Sequence, residues 1–326
     1  TRESIHGELK VKVYVKTPAR LHLGLIDLNG DLGRIYGGIG VGINRPNIVL
    51  EAERSQNLVV IGEQSEQVKM FAERFLERYN PRSNAHINVK QVIPEHIGLG
   101  SGTQLALAVA TSLARLFGVK ASVQELASNM GRGKRTSVGT TIFEQGGFVI
   151  DGGKCTSEER FPVTIFRQSF PQNWRFIVAV PNVKKGLAKN EETAAFEKLS
   201  PMKTDEAGKM CRLTIMKLLP ALVERDIKSF GEALTQIQIV IGNYFAEVQG
   251  GTYASQTAEE GISLMRKLGA YGAGQSSWGP TFYGVTQKEK AEEIKMKVKA
   301  FLRKSVGGQV FVAKANNRGT YIKVTR

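Results

Sequence analysis

Between Pro94 and Thr103 the chain reads PEHIGLGSGT, and there its residue types say most about chemistry. Gly98, Gly100 and Gly102 alternate with Leu99 and Ser101, and Thr103 follows. Glycines let a backbone come close to a ligand, and the two hydroxyls fall beside the unpaired amides of a helix's first turn. That combination suits an anion, most simply a phosphate. A tight turn with a hydroxyl cap accounts for the same letters. The spacing is neither the Walker pattern, since no Lys follows the last glycine, nor the dinucleotide glycine triplet, so other segments have to decide.

Three further segments carry residues of this kind. ARLHLGLIDLNGDLGRIYGGIGVGIN sets Arg20, His22 and Asp27 in an apolar run, then supplies Gly30, Gly33, Gly37, Gly38, Gly40 and Gly42. Those glycines could wrap a ligand, or serve the turns and bulges of a hairpin. From Gly131 to Gly153, Arg132, Lys134 and Arg135 are followed by Ser137, Glu144, Asp151 and two glycine pairs. Such cations suit phosphate or pyrophosphate oxygens, Arg through its bidentate fork, although a loop charge run is as often simply solvated. Near the end, GAYGAGQSSWGP presents Gly272, Gly274, Gln275, Ser276 and Ser277 as a further glycine loop.

The elements that must position these residues follow from periodicity. Leu9 to Lys16 alternates apolar and basic residues, a half-buried strand, and the run from Ala19 is a second. Asn47 to Glu53 and Asn57 to Ile61 read as paired strands, Ser65 to Tyr79 as an amphipathic helix, and Ala85 to Ile93 as a strand leading into PEHIGLGSGT. An apolar helical face with Leu105, Ala108, Val109, Ser112, Leu113 and Leu116 follows, then a helix from Ser122 to Met130 and a strand from Gly147 to Asp151. Beyond about residue 165 the texture changes. A buried strand, Trp174 to Pro181, precedes helices at Thr193 to Leu199, Ala207 to Leu219, Ile227 to Ile241 and Thr257 to Leu268. A strand from Thr281 to Val285, a lysine-rich helix from Lys288 to Arg303, and strands at Gln309 to Val312 and Tyr321 to Val324 complete the pattern.

Composition narrows the chemistry. Lys and Arg exceed Asp and Glu by 45 − 30 = 15, so the protein attracts anions, and the basic residues are spread rather than gathered in an arm. That distribution favours a phosphate pocket over a nucleic-acid stripe. Cys155 and Cys211 are far apart with no His or Cys at metal-ligand spacing, which argues against zinc and a disulfide framework. The polar N-terminus and the lack of a long apolar run point to a cytoplasmic enzyme with no membrane partner.

Pro94 with Gly98-Leu99-Gly100-Ser101-Gly102, the segment Pro18 to Gly24, and Gly272 to Ser277 resemble, in that order, the motifs of the galactokinase, homoserine kinase, mevalonate kinase and phosphomevalonate kinase (GHMP) superfamily. The resemblance spans all 326 residues. It implies an α+β fold of two domains: residues 1–165, like a ribosomal-protein fold, and residues 166–326, ferredoxin-like with added helices. Several of those kinases carry a basic aspartate in a Ser-Gly-x-Asp segment, whereas Ser137-Val138-Gly139-Thr140 holds no carboxylate. An ATP-dependent small-molecule kinase therefore stands as the alternative rather than the leading reading.

Taken together, ARLHLGLIDLNGDLGRIYGGIGVGIN, IGLGSGTQLALAVA and GRGKRTSVG with FEQGGFVIDGG resemble more narrowly the β-ribofuranosylaminobenzene 5′-phosphate synthases, archaeal enzymes of tetrahydromethanopterin biosynthesis. This resemblance implies condensation of 5-phosphoribosyl 1-pyrophosphate with 4-aminobenzoate, releasing CO₂ and pyrophosphate, with Mg²⁺. Gly98, Leu99, Gly100, Ser101, Gly102 and Thr103 would then take the pyrophosphate with Arg132, Lys134 and Arg135. Arg20, His22 and Asp27 would act at the reacting centre, and Gly37, Gly38, Ser137, Gly272, Gly274, Gln275 and Ser276 would contact the substrates. Asp27 and Glu144, with Asp151 as a third, are the carboxylates within reach of a metal. A cytoplasmic homodimer without a nucleic-acid partner is expected.

Overall fold

A computed structural model describes residues 11–187 and 189–325. The first half contains β1 (Lys12–Lys16), β2 (Ala19–Asp27), β3 (Arg34–Ile43), β4 (Val49–Ser55), β5 (Val59–Gly62), α1 (Ser65–Tyr79), β6 (Asn84–Gln91), α2 (Ser101–Phe117), α3 (Val123–Asn129), α4 (Val138–Gln145), β7 (Phe148–Asp151), β8 (Lys154–Cys155) and β9 (Thr164–Gln168). The second contains β10 (Trp174–Pro181), α5 (Lys189–Lys198), α6 (Thr204–Leu213), a π-helical turn (Thr214–Leu218), α7 (Leu219–Glu224), α8 (Ile227–Gln249), α9 (Gln256–Lys267), β11 (Gly272–Gln275), β12 (Phe282–Gln287), α10 (Lys288–Lys304), β13 (Gly308–Ala313) and β14 (Tyr321–Thr325). Leu9 and Lys10, with which the first strand was expected to begin, lie outside the described residues.

Three sheets result, with the α+β character expected. One has the order β14-β1-β4-β6-β5, a second β2-β3-β7-β9 with β8 on β3, and a third β11-β12-β10-β13. β1 shows why alternation works: Val13 and Val15 are fully buried, while Lys12 and Lys16 stay at the surface. The last strand, β14, returns to pair with β1 from Lys12 opposite Thr325 to Lys16 opposite Tyr321.

Helix α2 lies over the first sheet against β1 and β4 and beneath α1, α3 and α4. Leu105, Ala106, Leu107, Ala108, Val109 and Ala110 are all fully buried, so this helix is apolar around its whole circumference. It stops at Gly118, in the left-handed region, whose N–H closes on the Ala114 carbonyl. A Leu→Ala change here would cost ~2–5 kcal/mol through lost burial and a cavity.

Several expectations change. β4 and β5 do not pair with each other; β5 runs parallel to β6 at the sheet edge. A parallel neighbour needs a crossover, and α1 supplies it. The helix expected over Ala207 to Leu219 runs from α6 through the π-helical turn into α7. The glycine-rich segment after Asp27 is largely a strand, β3, the hairpin outcome, with Gly38 and Gly40 directly beneath Val138 of α4. Similarly, Gly272 and Gly274 belong to β11, not a loop, and a Cβ on either would collide with Gly231 or Gln238 of α8. Gln238 also fastens the second and third sheets, its amide donating to the Leu23 carbonyl at 2.6 Å and accepting from the Gln275 N–H at 2.8 Å. Among the described residues no helix is long and apolar enough to cross a membrane.

Candidate active site

The site begins at the N-terminus of α2. Gly100 caps it in the left-handed region without any side-chain hydrogen bond, and no acidic residue stands in the first turn. The hydroxyl cap that could have explained this sequence is absent, so the amides of Ser101, Gly102 and Thr103 end in a partly exposed surface. A 17-residue helix places about half a positive charge there.

Each glycine of the turn meets a different part of the chain. A Cβ on Gly98 would collide with the Ser276 carbonyl; on Gly100 it would stand 3.3 Å from Arg20 Cβ, and on Gly102 3.2 Å from Arg132 Nη1. Thus glycine here makes room for two arginines and the last loop as well as for any ligand. Arg20 donates to the Gly98 carbonyl at 3.4 Å while its own amide bonds to Leu99. The Ser276 hydroxyl accepts from His22 N–H at 3.0 Å and donates to Gly98 at 2.7 Å, and the Ser277 amide reaches the His22 carbonyl at 3.3 Å. The motifs around residues 20, 98 and 276 therefore converge.

Electrostatics at this point are unbalanced. Loss of hydration pulls the Arg20 guanidinium down to about 10, partly offset by the nearby charge of Glu192. Arg132 is lowered too, by burial first and then by its neighbour Arg74, and it lies 5.2 Å over the Phe71 ring. The Nε atoms of both arginines are buried without a hydrogen-bond partner. Among the described residues neither forms an ion pair. Two cations set against an already positive helix end give the electrostatics that suit a multiply charged anion. His22 is held well below its usual range, by burial first and then by Arg20, so its imidazole is neutral.

Other expected residues are placed elsewhere. Ser137 is buried, its hydroxyl 3.2 Å from Thr164 Oγ1, and its amide and that of Val138 are taken by Asp151 at 2.7 and 3.2 Å. The helix start at α4 is therefore closed by a carboxylate and offers no second anion site. Gly37 packs on Ile26 and Gly38 on Thr136 and Val138, while the Gln275 side chain bonds to Ala254 and Ser277. Lys134 is exposed. Arg135 reaches the cleft but is engaged, with Glu192 at 3.2 Å and Phe196 4.6 Å beneath its guanidinium.

The expected metal carboxylates do not fit a resident cation. Asp151 accepts from the amides of Gly38, Ser137, Val138 and Gly153, and burial raises its pKa against those bonds. Asp27 stands at the far end of β2, opposite Tyr36, with its Oδ1 taken by the amides of Asn29 and Gly30. Glu144 is exposed at the end of α4. No three His, Cys, Asp or Glu side chains converge among the described residues.

Gly139 settles a different point. It is one of the two positions, with the buried Thr140, on which a basic aspartate would fall; a Cβ on Gly139 would come 3.1 Å from Thr103 Cγ2, and Gln104 donates to the Gly139 carbonyl at 2.9 Å. The start of α4 is docked on the first turn of α2, so a side chain at Gly139 would press on Thr103. Sequence reading missed Arg74, Glu192 and the aromatic rings of Tyr36, Phe196, Phe245 and Trp278 around Arg135. Of these only Trp278, set inside the last motif, had a local signal.

Comparison with known proteins agrees with this geometry. Residues 66–147 match the GHMP kinases N terminal domain and residues 218–304 the GHMP kinases C terminal domain. The beta-ribofuranosylphenol 5'-phosphate synthase of Methanothermobacter thermautotrophicus is 32% identical, with 96% of this chain and 99% of the relative covered. That of Archaeoglobus fulgidus is 35% identical, over 95% and 99%. In fold, the chain superposes on the homoserine kinase of Cytophaga hutchinsonii with TM-score 0.71 at 16% identity, covering 99% of each, and on the mevalonate diphosphate decarboxylase of Staphylococcus aureus with 0.68 at 15%, covering 96% and 98%. The chain belongs to the beta-ribofuranosylphenol 5'-phosphate synthase family, on the GHMP fold.

Proposed function

We propose that this family member transfers the ribosyl 5-phosphate group of 5-phosphoribosyl 1-pyrophosphate to a benzoate with an electron-donating para group, releasing CO₂ and pyrophosphate. The observation that carries this reading is the uncapped end of α2, where, among the described residues, Arg20 and Arg132 form no ion pair and keep their Nε atoms without a hydrogen-bond partner. A departing diphosphate develops negative charge where those amides and cations point, and one such donor is worth about 3–4 kcal/mol of barrier. The acceptor ring carbon needs no protein base, because loss of CO₂ restores aromaticity. The segment Ser137-Val138-Gly139-Thr140, which holds no carboxylate, agrees with that requirement.

The relatives' name carries a phenol, where the motif resemblance implied an aminobenzene. Both products arise from the same chemistry, since an amine or a hydroxyl para to the carboxylate pushes electrons to the attacking carbon. Magnesium brought in with the diphosphate would be part of the substrate, as Asp27, Glu144 and Asp151 offer no built site. A kinase on the same fold is the second reading, and the missing base speaks against it.

Incubation of the protein with the phosphoribosyl donor and carboxyl-labelled 4-aminobenzoate or 4-hydroxybenzoate tests this. Labelled CO₂ and pyrophosphate in equal amounts are expected. ADP formation from ATP with a hydroxyl acceptor, and no CO₂ from either benzoate, would overturn it.

A further inference from the structure

Beside the cationic N-terminal end of α2 stands a wall of aromatic rings for which a ribosyl diphosphate has no use. Trp278, two residues past Ser276, lies 5.6 Å from the Phe196 ring and 4.6 Å from that of Phe245, edge-on to both. Phe196 is in turn 5.6 Å from Tyr36. All four residues are partly exposed. Rings in this arrangement accept a further arene readily.

One carboxylate is set into the wall. Glu192 Oε1 accepts from the Trp278 indole N–H at 3.1 Å, and its Oε2 pairs with Arg135 at 3.2 Å. Arg135 is itself held by Phe196 and by the Thr193 hydroxyl at 3.1 Å. Both oxygens are thereby oriented, and each retains a lone pair. The charge of Glu192 also acts on Arg20, which ties it to the end of the cleft where the donor would sit. Asp27 and Asp151 are committed to backbone amides and Glu144 faces solvent, so none of them competes for this role.

We propose that Glu192 accepts a hydrogen bond from the para N–H or O–H of the benzoate acceptor while its ring lies against Trp278 and Phe196. The inference rests on the decarboxylating transfer described above. In that reaction the anomeric carbon meets one face of the ring over the carbon bearing the carboxylate, which leaves the other face for Trp278 and Phe196 and puts the para heteroatom at the far edge of the ring. The ring's electron pair forms the new carbon–carbon bond as the bond to pyrophosphate breaks and its pair leaves on the diphosphate. The heteroatom lone pair feeds the ring, which makes its N–H or O–H more acidic and strengthens the bond to Glu192. The carbon–carboxylate bond then breaks, its electron pair returns to the ring, CO₂ departs, and the proton stays on the heteroatom. An interaction stronger in the transition state than in the ground state raises turnover.

Wild-type and Glu192→Gln proteins, each shown to be folded by thermal melting, are compared for CO₂ release from 4-aminobenzoate, 4-(methylamino)benzoate and 4-(dimethylamino)benzoate. Loss of a charge-assisted hydrogen bond should slow the two N–H acceptors about 10- to 100-fold and spare the dimethylated one, so the preference for an N–H collapses. A variant that keeps that preference, or loses rate equally on all three, overturns the role of Glu192. Independently, 4-aminobenzoate without donor should quench Trp278 fluorescence, with a weaker titration in Glu192→Gln and a loss of the quench in Trp278→Phe. Quenching unchanged in Trp278→Phe overturns the placement of the ring. If the wild type releases no CO₂ from any acceptor, the transfer reaction fails instead, and the quench still decides whether the wall holds an arene.

Discussion

The Ser276 hydroxyl donates to the Gly98 carbonyl across 178 residues of chain, at 2.7 Å. The same oxygen accepts from the His22 amide, so one side chain holds the glycine turn, the second strand and the last motif in register. Ser276→Ala strands a buried donor and should cost about 1–3 kcal/mol of stability. Activity should fall further than folding does, since the α2 amides lose their fixed aim. Urea midpoints read beside donor kcat/KM check this; kinetics that merely follow stability would contradict it.

Arg132 sits against Gly102 and feels Arg74, a like charge. Removing it relieves repulsion in the empty protein while taking away the proposed diphosphate contact. Arg132→Ala should therefore melt at or above the wild-type temperature without ligand, yet lose most of the shift produced by pyrophosphate. Saturation at a hundred times the dissociation constant stabilises by ~2.7 kcal/mol, a shift large enough to read. The exposed Lys134→Ala should retain it.

His22 supplies a pH dependence. Its pKa is well below the ordinary 6.5 in the folded state, through burial first and Arg20 second. Between the two values the unfolded chain binds the proton and the folded chain does not, so stability rises with pH across that window. Full stability from this group is present above about 6.5 and is lost as pH falls, by up to ~1.4 kcal/mol per pH unit. Urea titrations from pH 7 to 5 should show this slope, and the difference between wild type and His22→Asn isolates it.

Placing a carboxylate at Gly139 should not create a kinase. Gly139→Asp pushes on Thr103, 3.1 Å from the new Cβ, and overpacking of this kind costs ~1–3 kcal/mol. Reduced CO₂ release with no gain in ADP formation is the expected result. A rise in ATP-dependent phosphorylation would count against the packing account.

The strands and helices were legible where periodicity was strong, as in α1 and β10, and so was the glycine turn that opens α2. What glycine was for could not be read from its letters. Gly272 and Gly274 looked like a loop because glycine marks turns, but they are strand residues flattened to let α8 approach. Likewise the Ser137 segment looked like a phosphate loop, whereas Asp151, fourteen residues on, caps it. Both outcomes depend on partners distant in sequence or across the sheet. Glu192 was invisible for the same reason: nothing within α5 reveals that Trp278 and Arg135 will meet it.

Strand β14 completes the sheet on which α2 rests, as the neighbour of β1. During synthesis, residues 12–16 must wait with one edge unpaired until residues 321–325 have left the ribosome. The helix proposed to hold the diphosphate thus gains its full support last, and a nascent chain halted before residue 321 would carry a sticky ribbon for chaperones, or for another copy, to cover.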